Sequence, residues 1–102
     1  MTDLELTRLC AEAMGYEIVG HIKDSSCIEV GRKGNPVGFD PLHDDAQAMA
    51  LAKKFRPIMH SMEPPTTDEE TWFVALGDAT GEHPDLNRAI CLCAAAIQKA
   101  KA

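Results

Sequence analysis

Four histidines (His21, His43, His60, His83), four cysteines (Cys10, Cys27, Cys91, Cys93) and one glycine-bounded segment, Gly77-Asp78-Ala79-Thr80-Gly81, are the parts of this 102-residue chain whose types could do chemistry. His43 and His83 fall at predicted helix starts beside Asp44 and Asp85, so a fold that brought them together would make an acid/base or metal cluster. No H-x-x-x-H spacing places two imidazoles on one helical face, and exposed helix-entry histidines are the simpler expectation. Cys91-Leu92-Cys93 on a helix would point its two thiols about 200° apart, away from any shared metal. Cys10 and Cys93 fall on apolar helix stripes as small hydrophobes, which leaves only a composite zinc site such as Cys27 with His21. No metal and no cofactor is expected.

Gly77–Gly81 reads as a loop running from a strand into a helix N-terminus, the geometry in which backbone amides cradle phosphate. Asp78, Glu82 and Asp85 oppose that, and no Lys follows the second glycine, so a turn with an acidic cap is the favoured reading. Should a small ligand or nucleotide be sequestered, its pocket would join this loop to the end of the Phe39-Asp40 strand. There is no G-x-S-x-G, no paired Cys/His and no dinucleotide fingerprint, and the chain is not expected to be an enzyme. Met59-His60-Ser61-Met62 looks like a soft-metal cluster, but core packing is its default use. If these methionines are exposed beside the acidic run that follows, adaptable apolar groups rimmed by charge suit a protein interface. The candidate partner-binding residues are therefore Met59, Met62, Glu63, Asp68, Glu69 and Glu70.

Several elements must position these residues. Thr2-x-x-Glu5 is a capping box, Leu6, Leu9, Cys10, Ala13 and Met14 keep helical spacing, and Gly15 ends the helix. Tyr16 to Ile22 alternates as a strand, and Lys23-Asp24-Ser25-Ser26 is the turn after it. Cys27–Gly31 and Val37–Asp40 form a hairpin through Arg32-Lys33-Gly34-Asn35-Pro36. A second helix starts at Asp40-Pro41-Leu42-His43-Asp44-Asp45, buries Ala48, Leu51, Ala52 and Phe55, and closes at Pro57. Ile58 to Glu70 reads as a mobile acidic connection, stiffened locally by Pro64-Pro65. Trp72-Phe73-Val74-Ala75-Leu76 is apolar throughout and predicts a central strand covered on both faces, within a three-layer arrangement. Pro84, at an N1-like position, opens a last helix carrying Leu86, Ala89, Ile90, Cys93, Ile97 and Ala100. The predicted order is α-β-β-β-α-β-α: an α+β fold with an antiparallel-rich sheet layered with helices.

Length and composition bound the rest. The chain has the size of one domain, 1–102, with 45% hydrophobic and 25% charged residues, the balance of a soluble globular protein. Its net charge of −6 disfavours direct nucleic-acid binding and anionic membranes, and its cations are scattered rather than interleaved with aromatics. No apolar stretch is long enough to span a bilayer, the N-terminus lacks a basic signal-peptide region, and a cytoplasmic location is expected. No residue pattern specifies an oligomer, although short layered domains often leave an apolar edge or face on which a homodimer could form.

Four stretches, taken in order, carry a family likeness: Leu9-Cys10-Ala11-Glu12-Ala13-Met14-Gly15-Tyr16, Phe39-Asp40-Pro41 with Asp44-Asp45-Ala46, Trp72-Phe73-Val74, and Asn87-Arg88-Ala89-Ile90-Cys91-Leu92-Cys93-Ala94-Ala95. In these, spread over most of its length, the chain resembles a family of small phage and prophage proteins, the phage ABA-sandwich domain. The resemblance implies a phage-encoded origin and a sheet layered between helices. It carries no established catalytic residues. By analogy with small acidic phage proteins, it implies action through a protein surface in the bacterial host cell, on a host or phage protein, with inhibition of a bacterial defence complex as one expectation.

Overall fold

The computed structural model describes residues 1–21, 27–31, 37–62 and 71–101. Among these the order is α1 (Asp3–Ala13), β1 (Ile18–His21), β2 (Ile28–Val30), β3 (Val37–Phe39), α2 (Asp45–Phe55), β4 (Ile58–Met62), β5 (Thr71–Leu76), β6 (Ala79–His83) and α3 (Leu86–Lys101). The strands form two antiparallel sheets, β1-β2-β3 and β4-β5-β6, so the α+β reading with antiparallel pairing holds. None of the described helices is long and apolar enough to cross a membrane.

Each helix end has a local cause. Thr2 Oγ1 accepts a hydrogen bond from the Glu5 amide at 3.1 Å, as the capping box requires. At the other end of α1, Gly15 sits at φ +76°, with its amide on the Glu12 carbonyl and the Tyr16 amide on the Ala11 carbonyl. That is a Schellman stop, and it turns the chain into β1. α2 begins later than the sequence suggests: residues 41–43 form a turn, and the Asp44 carboxylate caps the Gln47 amide at 3.0 Å. Gln47 in turn accepts the Asp40 amide (2.6 Å) and donates to the Gly38 carbonyl (2.8 Å), fastening β3 to α2. Arg56 ends α2 in the left-handed region, at φ 51°. At α3 the Asp85 carboxylate accepts the Asn87 amide, so Pro84 precedes the cap rather than occupying the first helical position.

α3 is the element around which the others assemble. At about 100° per residue its apolar and small residues fall into three stripes about 120° apart. Ala89, Leu92 and Cys93 meet β6, where Gly81 lies against them. Ile90, Ala94 and Ile97 face Leu51, Ala52 and Phe55 of α2. Arg88 and Cys91 face α1, through a 2.9 Å ion pair to Asp3 and a contact from Cys10 Sγ to the Cys91 carbonyl. The β1-β2-β3 sheet reaches this core through Ile28, Val30 and Phe39, all buried.

Three parts of the sequence reading are corrected. Residues 58–62, read as the start of a mobile connection, form β4, paired with β5 without a break in register from Ile58↔Ala75 to Met62↔Thr71. Residues 79–83, read as part of a loop, form β6, and the connection is the two-residue turn Gly77-Asp78. Gly77 has φ +60° and Asp78 does not have positive φ, the pattern of a type II′ hairpin turn. β5 is central as expected, but its residues other than Val74 are only half-buried or exposed: the helix covers one face, not both.

A Cβ at Gly81 would collide with the Ala89 carbonyl and lie 2.8 Å from the Cys93 amide, both main-chain groups that no rotamer change can move. Gly15→Ala, by contrast, meets no atom within 4 Å and costs only the strain of positive φ, about 1 kcal/mol. Gly81→Ala is expected to lower stability by about 3 kcal/mol, as forced overpacking does. Urea unfolding of both variants checks the order, and a Gly81→Ala loss no larger than that of Gly15→Ala would contradict this packing.

Candidate functional site

The pairing of β4, β5 and β6 sorts their residues onto two faces, because residues opposite one another in an antiparallel sheet share a face. Met59, Val74 and Gly81 align on the helix side, where Val74 is fully buried. The other side carries the rows Ile58–Ala75–Thr80 and His60–Phe73–Glu82. Ile58 is 72% exposed, His60, Thr80 and Glu82 are exposed, and Phe73 is half-buried beneath the His60 ring, edge to face at 5.3 Å. Among the described residues this makes an apolar and aromatic patch on an open sheet face beside the Glu82 carboxylate, suited to covering by another macromolecule.

The candidate partner-binding residues divide across this surface. Met59 is on β4, 37% exposed, and faces the helix side. Met62 ends β4, opposite Thr71. Glu63, Asp68, Glu69 and Glu70 lie outside the described residues, as do the turn 23–26 and the hairpin connection 32–36. Sequence reasoning did not single out Ile58, His60 and Phe73 as a set. Strand periodicity would have found them had residues 58–62 been read as a strand, since 58 and 60 alternate with 59 and 61.

The histidines expected at helix starts are engaged close by. His43 Nδ1 lies 2.9 Å from Asp40 Oδ2, and His83 Nδ1 accepts the Asp85 amide at 2.9 Å. Among the described residues no three His, Cys, Asp or Glu side chains converge in a group that could hold a metal ion. The loop-and-helix phosphate cradle is absent as a geometry: Gly81, which would have been its second glycine, is a buried strand residue packed on α3. The Phe39 end does carry a groove of about 290 Å³, lined by Tyr16, Val30, Gly31, Val37, Gly38, Phe39 and Gln47. This groove takes no lining residue from Gly77–Gly81. Tyr16 and Phe39 meet there edge to face, with ring centroids 5.5 Å apart.

The cysteines are thiols, and Cys91 and Cys93 take different sides of α3, as their spacing requires. The Cys10 thiol is pushed far up by its hydrogen bond with Cys91 and by burial. Burial also raises Cys93. Cys27 is raised by milder burial and then by the Asp40 carboxylate, and it is only half-buried. Since thiolate character and access set reactivity, a disulfide reagent at neutral pH is expected to modify one thiol per native chain, Cys27, and all four after unfolding. Rapid modification of two or more in the native protein, read by mass after alkylation, would contradict the packing of α1 on α3.

Comparison with known proteins returned no matching family model, no matching curated protein and no matching solved structure.

Proposed function

We propose that this chain is a non-catalytic binding protein of phage type, resembling the phage ABA-sandwich proteins. It acts in the bacterial cytoplasm by covering a surface of a host or phage protein. The observation that carries the reading is the open face of the second sheet, with Ile58, His60 and Phe73 contiguous and without a covering layer among the described residues. Exposed apolar groups of this kind are retained at a cost in solubility, which association with a partner offsets. The acidic residues Glu63, Asp68, Glu69 and Glu70 lie between β4 and β5 in the sequence and add charge that would steer a basic partner surface. A bacterial defence complex is the kind of target this reading favours.

The test compares partner capture by the intact protein and by surface variants. Ile58→Asp and His60→Asp, both at exposed positions, are expected to abolish capture, whereas Val19→Asp on β1 and Met49→Asp on α2 leave it unchanged. Reversing Asp68, Glu69 and Glu70 to Lys is expected to weaken capture and flatten its salt dependence. Equal capture by all variants would overturn the assignment of this face.

A second reading, sequestration of a small ligand, is favoured by the 290 Å³ groove between Tyr16, Val37 and Phe39. Its volume is at the lower end of ligand pockets, about 300–1,000 Å³. A planar ligand would lie against the exposed Tyr16 ring, since Phe39 is buried and set at right angles to it. On that reading a nucleotide and aromatic-metabolite library raises the melting temperature of the wild type and not of Tyr16→Ala; no shift from any compound removes it.

A further inference from the structure

Strand edges are where sheets recruit further strands, and proteins protect them with bulges, charges, prolines or brevity. The described edges of this chain differ in that respect. β1 breaks register between Ile18 and Gly20, β3 is three residues long, and β6 carries Glu82 and has α3 packed along it. β4 has none of these devices. It pairs with β5 through five consecutive residues, Ile58-Met59-His60-Ser61-Met62, with no bulge, no proline and no carboxylate, ammonium or guanidinium group inside the strand. Ile58, Met59, His60 and Ser61 are exposed whichever face they take.

We propose that two copies of this chain pair through β4, antiparallel about His60, and so join their second sheets into one sheet of six strands. The strand suits itself as partner. Antiparallel pairing centred on residue 60 sets Ile58 opposite Met62 of the second copy, Met59 opposite Ser61 and His60 opposite His60, so the two imidazoles, when both are protonated, are the one like-charge pair inside the strand. The flanks supply polarity. In the sequence Arg56 stands two residues before β4 and Glu63 directly after it. Chain connectivity alone then brings the Arg56 end of each copy toward the Glu63 end of the other in an antiparallel pair, twice by symmetry. A parallel arrangement would bring like flanks together.

The net charge of −6 on each copy works against association at long range, and a five-residue edge buries less than the roughly 1,200 Å² of a stable specific interface. The dimer is therefore concentration-dependent. This inference uses the edge of the strand and does not rest on the partner reading, which uses the sheet face.

Sedimentation equilibrium of the full chain across a micromolar concentration series tests it. The weight-average mass is expected to rise from 11.1 kDa toward twice that value. Met59→Lys with Ser61→Lys sets like charges opposite each other at both symmetry-related pairs and is expected to weaken association at least about tenfold. Met59→Lys with Ser61→Glu sets opposite charges there and is expected to restore it. Both positions are exposed, and unchanged melting of the variants confirms that they fold. A constant mass of 11.1 kDa for the wild type overturns the proposal. So does a dimer indifferent to the Lys/Lys variant, or a Lys/Glu variant that fails to recover. Lost capture with Ile58→Asp alongside an indifferent dimer would overturn this inference and leave the face assignment standing, and the reverse result would do the opposite.

Discussion

The close approach of β6 to α3 at Gly81 is the constraint from which the rest of the arrangement follows. With no side chain at that position, the helix backbone settles onto the strand, with Ala89 and Cys93 at the contact and Ala89 fully buried. A helix that near a sheet has its axis fixed, and its other two stripes are then aimed in definite directions, one at α1 and one at α2. Small residues serve the same end elsewhere on α3: Cys91, Ala94 and Ala95 are buried without filling space that a neighbouring helix needs. The cost is that this core is built from small side chains, each contributing modest apolar area, so its stability depends on fit more than on bulk.

Polar contacts then fix how the outer elements sit on α3. Asn87 donates to the Asp45 carboxylate at 2.8 Å, tying the first turn of α3 to the start of α2. Arg88 binds Asp3 at the start of α1; its guanidinium holds that carboxyl below the usual range. Both members of this pair are partly exposed, so solvent screens the attraction and its main effect is on orientation. Gln47 carries the order outward by satisfying two main-chain groups of the β3 end, which also forms one wall of the Tyr16–Phe39 groove.

Much of this architecture was legible in the sequence wherever a single local rule governed the element. Thr2, Gly15 and Asp44 each act through contacts within their own turn, and the apolar spacing of α1, α2 and α3 reports one buried stripe after another. The two strands that were missed obey a tertiary rule. Gly81 made residues 77–81 look like a loop, yet the glycine is there because a helix backbone lies on it, and its φ is not in the left-handed region. The turn signal was the Gly77-Asp78 pair, flanked by Leu76 and Ala79, which are directly opposite in the ladder. β4 was hidden because Met, His and Ser have little intrinsic strand preference; pairing to β5 makes this segment a strand. The candidate surface divides in the same way: residue type alone picks out Met59, whereas grouping Ile58, His60 and Phe73 on one face needs the register.

The two faces of the second sheet complete the physical argument. A strand as apolar as Trp72–Leu76 is expected to be covered on both sides, since each exposed apolar side chain forfeits its transfer free energy. Here α3 covers only the side carrying Trp72 and Val74, and Phe73 and Ala75 stay half-buried under β4 and β6 side chains. α3 cannot relieve this, because Gly81 holds it to the opposite face, and α1 and α2 are committed to α3. The composition of β5 thus exceeds what the monomer's own layers can bury among the described residues. The excess is concentrated on one hairpin whose edge strand is also uncharged, so the surface left over by the packing of α3 is the surface on which association would recover the most free energy.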